Sequence, residues 1–280
     1  MQNYGDKVLA VVCYDLAQSP ATHDFVNWLV RAEQYRILLE DDDLEVVIVP
    51  GDRHRTDRDF YYSAEKKMWR AYTLLIPLAR CLPSVSSVRI GTGVQKLHYV
   101  NFNEPQKPVL KAPGEASKLM GDFLSGLKNP VSITIRQSEW EEKRNSNIQV
   151  WKKVSENLEQ MGYSVVWVPD AEALMSGKHE KSWKLECQPA SMYPELRLAL
   201  YERCKMNFMT NSGPFVLALM SFANLSCFKM IVEGIYCCTE KHNRASAFSE
   251  SDDWGIGKNI YWDDDTLENV MGKIEELSYA

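Results

Sequence analysis

Four clusters in this 280-residue sequence, and one isolated aspartate, have the residue types and spacing to hold an anion or take up a proton. Asn211, Ser212, Gly213 and Pro214 stand between the apolar run 206–210 and an apolar stretch beginning at Phe215. Ser212 or Asn211 can cap a helix there, Gly213 lets a ligand approach the backbone, and Pro214 suits a first helical turn. Free N–H groups and the positive helix end would then face a phosphate. The same residue types equally serve an ordinary capped turn that binds nothing. Arg136 and Arg144 bracket a second loop, with Asn145 or Ser146 as its helix cap. Two guanidiniums in one loop can grip a diphosphate through charge-assisted, partly bidentate hydrogen bonds. They can equally pair with Glu139, Glu141 and Glu142 of the same loop. Asp170, after Pro169, can accept from a sugar or ribose hydroxyl or simply form a turn. Asp15 and Asp24, with Ser19, Thr22 and His23 between them, offer a carboxylate or imidazole as general base toward a hydroxyl. Asp24 also reads as a helix N-cap. Asp52, Arg53 and His54 repeat that offer within a run of alternating charge, which reads as well as a solvated loop.

Positioning these residues requires strands and helices in alternation. The run 8–13 is continuously apolar and reads as a buried strand; Phe25, Trp28, Leu29, Ala32 and Leu39 then fall largely on one helical face, and 45–50 reads as a second strand. The same strand–helix–strand word returns at 131–135, at a helix carrying Trp151, Val154, Leu158 and Met161 and closed by Gly162, and at 164–168. Met68, Tyr72, Leu75 and Ala79 mark a further helix, followed by short strands near 87–90 and 97–100. A helix at about 194–204, a strand at 206–210, a helix opening at Pro214, a strand at 227–232 and a last helix through Leu267, Val270, Ile274 and Leu277 complete the second half. This pattern predicts an α/β protein of two Rossmann-like, doubly wound domains facing a cleft. The stretch 103–130, rich in Pro, Gly and Lys, marks their junction, giving domains 1–115 and 116–280. Ligands of such sheets lie beyond the carboxyl ends of the strands, where the clusters above fall.

Composition narrows the class. The net charge of −6 is concentrated in 249–280, where nine acids face two lysines, so the rest is close to neutral. Nucleic-acid binding is not expected, because it calls for a basic excess with interleaved aromatics. No apolar run approaches the roughly 18–20 residues of a membrane span, and the N-terminus lacks the pattern of a signal peptide, so a cytoplasmic protein is expected. Seven cysteines without a CxxC argue against a disulfide framework or zinc site, and Cys237-Cys238 reads as core or strand-end filler. Walker A, GxSxG and HExxH motifs are absent, and Trp254-Gly255-Ile256-Gly257 is too short for a dinucleotide fingerprint.

The second half, with Ile135-Arg136-Gln137-Ser138, Arg144-Asn145-Ser146, Gly162-Tyr163, the strand ending at Pro169-Asp170, Tyr201 and the turn Asn211-Ser212-Gly213-Pro214, resembles the nucleotide-sugar half of GT-B-type glycosyltransferases. It looks most like bacterial relatives in surface-polysaccharide synthesis and distantly like the fucosyltransferase branch. It departs from the latter in having only Ile135-Arg136-Gln137 where they carry a paired-arginine strand end. The resemblance implies transfer of a sugar from a nucleotide-sugar donor to a glycan or lipid-linked acceptor, with no metal or other cofactor. Arg136 and Arg144, with Asn145 beside them, would meet the donor, the arginines at its diphosphate; Asp170 would lie near the nucleoside or sugar, and the 211–214 turn would offer amides. Two alternatives remain: a non-catalytic GT-B-like binding or scaffold protein, and a sugar-nucleotide hydrolase or epimerase. The oligomeric state is left open.

Overall fold

A computed structural model describes residues 9–51, 63–93, 107–246, 248, 254–255 and 257–279 and contains two parallel sheets. The first half runs β1 (Leu9–Asp15), α1 (Asp24–Leu38), β2 (Asp43–Val49), α2 (Ala64–Arg70), a π turn (Ala71–Leu75), α3 (Ile76–Arg80) and β3 (Val85–Ile90). Its strands lie in the order β1-β2-β3, with Val12 opposite Val46 and Ile48 opposite Ile90. The π turn precedes Pro77, which has no N–H to continue the α-helical ladder.

The second half runs α4 (Gly114–Phe123), β4 (Pro130–Thr134), α5 (Ile148–Gln160), β5 (Ser164–Val168), α6 (Ala171–Met175), α7 (Gln188–Met192) and α8 (Pro194–Arg203). It continues through β6 (Asn207–Thr210), α9 (Gly213–Leu219), β7 (Leu225–Phe228), α10 (Glu240–Ala245), β8 (Lys258–Ile260) and α11 (Leu267–Tyr279). The strand order is β5-β4-β6-β7-β8, all parallel. The chain leaves β4 toward β5, then crosses back to β6 on the other side of β4. The loops after β4 and β6 therefore diverge at a topological switch point, where such sheets open a crevice for ligands.

Alternation along β4 explains the two faces of this sheet. Val131 and Ile133, with Ile135 beyond the strand end, pack with Trp151, Val154 and Leu158 of α5 and with Val270 and Ile274 of α11. Ser132 and Thr134 point the other way, donating to Asn207 Oδ1 (2.6 Å) and meeting the Tyr201 hydroxyl (2.7 Å), so no buried hydroxyl is left unpaired there. On that second face, α8 and α9 join α1 and α3 of the first half in one continuous apolar cluster, including Phe25, Leu29, Leu78, Leu200, Phe215 and Leu217. The two halves thus share a core, and 107–112 ties them further: Val109 and Leu110 donate to Met220 O, and Lys111 donates to Cys81 O.

Several local expectations differ from the structure. The 103–130 stretch is not all linker, because α4 lies within it and buries Ala116 and Met120 at a spacing of four. The 227–232 strand ends at Phe228, where Lys229 turns to φ +58° and donates its N–H to Asp263 O. The last helix of the switch crevice opens at Gly213 rather than Pro214. Strand β8 and helices α6, α7 and α10 have 3, 5, 5 and 6 residues, too few for a period to stand out. The strand anticipated near 97–100, and Asp52, Arg53 and His54, lie outside the described residues.

Candidate functional site

A cleft of about 940 Å³ opens between the two halves at the carboxyl ends of their strands. Its second-half wall carries Arg136, Arg144, Asp170, Asn211, Ser212, Gly213 and Pro214; its first-half wall carries His23, Asp24, Arg31, Lys66, Trp69 and Arg70. The structure therefore brings together seven of the eight residues read as donor-binding and one of the two read as catalytic. Asn145 and Asp15 do not line the cleft.

The first-half wall is fixed by an aromatic trio. The Tyr14 ring meets Phe25 edge-on at 4.6 Å, Phe25 stacks on Trp28 at 5.3 Å, and the Tyr14 hydroxyl donates to Pro20 O at 2.8 Å. These contacts hold the start of α1 against the end of β1. His23, not Asp24, is the N-cap residue of α1, and Asp24 lies in its first turn, accepting from the Thr22 hydroxyl at 2.7 Å. Asp15 closes the loop after β1, accepting from Ala17 N at 2.8 Å and Gln18 Nε2 at 3.0 Å.

Across the cleft, the loop after β4 is built around its arginines. Arg136 is buried, and its guanidinium donates to Trp140 O, Glu141 O (3.2 Å) and Asn145 Oδ1. Asn145 Oδ1 also accepts from Ser138 N (3.0 Å), so this side chain organises the loop from behind. Arg144, equally buried, donates to Glu141 Oε2 (3.1 Å) and to Asn211 O (3.2 Å), tying the two switch-point loops together. Its Nε has no hydrogen-bond partner among the described residues. Burial, reinforced by the neighbouring Arg144 charge, brings the Arg136 guanidinium down to a pKa of about 10. An anion in the cleft would relieve both effects. Glu141, whose carbonyl and carboxylate serve the two arginines, sits at φ +51°, a backbone state uncommon for a non-glycine residue.

The cap of α5 is neither Asn145 nor Ser146 but Asn147, whose side chain accepts from Val150 N at 3.4 Å. Ser146 instead accepts from Arg136 N at 2.9 Å and meets the Thr210 hydroxyl at 3.0 Å, joining β4 to β6. Asp170 caps α6, accepting from Glu172 N at 2.8 Å and from Gln137 N at 3.3 Å; burial raises its pKa against the pull of these amides.

At the turn after β6, Ser212 is the N-cap of α9, but its side chain makes no capping hydrogen bond. Gly213 is required by a close approach: a β-carbon there would lie 2.4 Å from His23 Nδ1 and 2.7 Å from its Cγ. The imidazole of one half is thereby seated on the anion-suited turn of the other.

Two contributions escaped the sequence reading. Asp265, taken there as tail charge, is buried and accepts from Asn147 N (2.6 Å), Trp151 Nε1 (3.0 Å) and Lys229 Nζ (3.2 Å), while Lys229 Nζ also donates to Asn145 O (3.0 Å). Cys238 is buried in the core as expected, whereas Cys237, beside it on a 3₁₀ turn (Tyr236–Cys238), lines the cleft. The described residues include no cluster of three or more His, Cys, Asp or Glu suited to a metal ion, and no helix long and apolar enough to cross a membrane.

No protein-family model and no curated protein sequence matches the chain. Among solved structures it is similar to a family 9 glycosyl transferase from Veillonella parvula DSM 2008, with a TM-score of 0.55 over 97% of both chains at 10% identity. It is also similar to the E. coli heptosyltransferase WaaC with ADP, with a TM-score of 0.50 over 96% of this chain and 99% of that one, again at 10% identity. Neither bears the fucosyltransferase name that the sequence resembled at a distance. With its two Rossmann-like halves and the cleft between them, the chain has the fold of the GT-B-type glycosyltransferases.

Proposed function

We propose that the protein is a glycosyltransferase that takes a sugar from a nucleotide-sugar donor and passes it to a glycan or lipid-linked acceptor. One observation carries this reading: two buried arginines and an uncapped glycine turn meet at the topological switch point and face a second wall across an open cleft. The donor diphosphate lies against Arg144 and the 211–214 turn, with Arg136 beneath the loop and Asp170 toward the nucleoside or sugar. In the transfer, a bond forms between an acceptor oxygen and the anomeric carbon while the bond from that carbon to the diphosphate oxygen breaks. The departing negative charge is met by oriented amides and guanidinium groups, which supply the main stabilisation of the transition state without a metal ion. Asp24, on the opposite wall, takes the acceptor proton, and His23 is placed to assist.

ADP accompanies the E. coli heptosyltransferase in its solved structure and is the first nucleotide to test. Calorimetric titration with ADP, GDP, UDP and CDP should find one diphosphate that binds, and Arg144→Ala and Arg136→Ala should weaken it by at least tenfold. Absence of binding to all four, with neither substitution changing anything, overturns the reading.

A second reading is favoured by the internal pairing of the arginines. Arg144 is already held by Glu141, and all the recorded bonds of the Arg136 guanidinium go to its own loop. A non-catalytic GT-B-like binding protein would keep these pairs. Glu141→Gln separates the two: it strengthens diphosphate binding where Glu141 merely competes for Arg144, and leaves a scaffold unaffected.

A further inference from the structure

Cys237 and Cys238 form the feature of the cleft that the proposed transfer does not use. Their sulfurs are 4.0 Å apart, Cys237 is partly exposed on the cleft wall, and Cys238 is buried behind it. Cys238 Sγ is also an acceptor for Asn211 Nδ2 at 3.5 Å, and Asn211 O accepts from Arg144 Nη2 at 3.2 Å. The pair is thus linked to both switch-point loops through one residue, Asn211, by its side chain on one side and its backbone carbonyl on the other. The backbone on either side is anchored, with Cys238 N donating to Ile235 O and Val232 N donating to Cys238 O. The Cys237 hydrogen bond and burial push the Cys238 thiol up, opposed in part by the charge of Arg144, so Cys238 is held as a thiol.

We propose that Cys237 and Cys238 are a reversible dithiol site that reacts with small disulfides and thereby controls the anion-suited end of the cleft. Cys237 meets the oxidant first. Its thiolate attacks a sulfur of the small disulfide, forming a mixed disulfide and expelling one thiolate. Cys238 then attacks the Cys237 sulfur, its proton goes to the departing sulfur, and a second small thiol leaves. In net terms two protein thiols are oxidised to one disulfide, and one small disulfide is reduced to two thiols.

Two physical arguments make this a switch rather than a staple. Closing the bond brings the sulfurs from 4.0 Å to about 2.05 Å and ties Cys238 Sγ, the acceptor of the 3.5 Å Asn211 bond, to the cleft-lining Cys237. Consecutive α-carbons stand only about 3.8 Å apart, below the usual span for a disulfide, so the ring is strained and readily reduced. The other five cysteines are buried and do not compete for a small reagent.

The test uses the full chain with oxidised glutathione, followed by tryptic mass analysis. Cleavage after Lys229 and Lys241 isolates residues 230–241, which contain both cysteines and no other. The expected result is loss of two hydrogens from that peptide, restored by dithiothreitol, and no such loss in Cys237→Ala or Cys238→Ala. A peptide that stays fully reduced, or carries only glutathione adducts, overturns the proposal. The effect on the cleft rests on the function proposed above and is read separately: oxidation should weaken nucleoside diphosphate binding by roughly tenfold, within the range of coupling between neighbouring sites. An internal disulfide with unchanged binding overturns the control role. If the reduced chain binds no nucleotide, the glycosyltransferase reading fails while the mass result still decides the dithiol.

Discussion

Replacing Asp265 tests how the arginine loop is held. The residue is 3% exposed, and its carboxylate is the acceptor for Asn147 N–H and for the indole N–H of Trp151, which is itself fully buried. In Asp265→Ala both donors lose that acceptor, at about 1–3 kcal/mol each. Lys229 suffers less, since it keeps Asn145 O at 3.0 Å and Asp264 at 3.6 Å. The two together give a loss of about 2–6 kcal/mol, in line with removing one partner of a buried charged network. Urea unfolding followed by tryptophan fluorescence measures it. In a Trp151→Phe background the same substitution removes one orphaned donor fewer, so the loss should shrink by about 1 kcal/mol or more. A loss below about 1 kcal/mol, or a cycle additive within about 0.5 kcal/mol, would refute the view that Asp265 holds the Arg144–Asn147 corner.

Other expectations follow from the same geometry. Gly213→Ala places a methyl 2.4 Å from His23 Nδ1, and displacing that ring should cost about 1–3 kcal/mol in stability as well as weakening diphosphate binding; thermal unfolding and calorimetry read the two, and unchanged values would contradict the close approach. Lys258 of β8 is half-buried, donating to Ala218 O at the carboxyl end of α9, and the burial of its amine lowers its pKa from 10.5 to about 7. The unfolded chain therefore binds more protons between about pH 7 and 10.5, and stability should rise with pH across that window by up to about 1.4 kcal/mol per unit. Lys258→Met should flatten this slope in urea unfolding at pH 7.5 and pH 9.5, and an unaltered slope would assign it to other groups. Asp24→Asn should abolish sugar transfer in a donor–acceptor assay while leaving diphosphate binding within about twofold, whereas parallel losses would place Asp24 in donor binding rather than proton uptake.

The crevice was legible in the sequence because it follows from local periods. Strand 164–168 stands out as a short apolar run and the helix through Trp151 by its three–four spacing, and the rule that ligands lie past strand ends then points to Arg136, Arg144 and the turn at Asn211. What stayed hidden depends on distant partners. Nothing local distinguishes Asp265 from the other acids of 249–280, because its role lies with Asn147 and Trp151, 118 and 114 positions earlier. The approach of His23 to Gly213 likewise joins two halves that no period connects. The loop before α5 shows why capping propensity alone failed there. Asn145, Ser146 and Asn147 are consecutive and all chemically able to cap. The start of the helix is set instead by Trp151, whose backbone N–H bonds to Asn147 O while its indole reaches Asp265. Once Asn147 holds the cap, Asn145 and Ser146 fall two and one residues before it, where their side chains reach the Arg136 guanidinium and the Arg136 N–H. The helix register, fixed by a contact across the domain, thus turns two potential caps into the supports of a buried arginine.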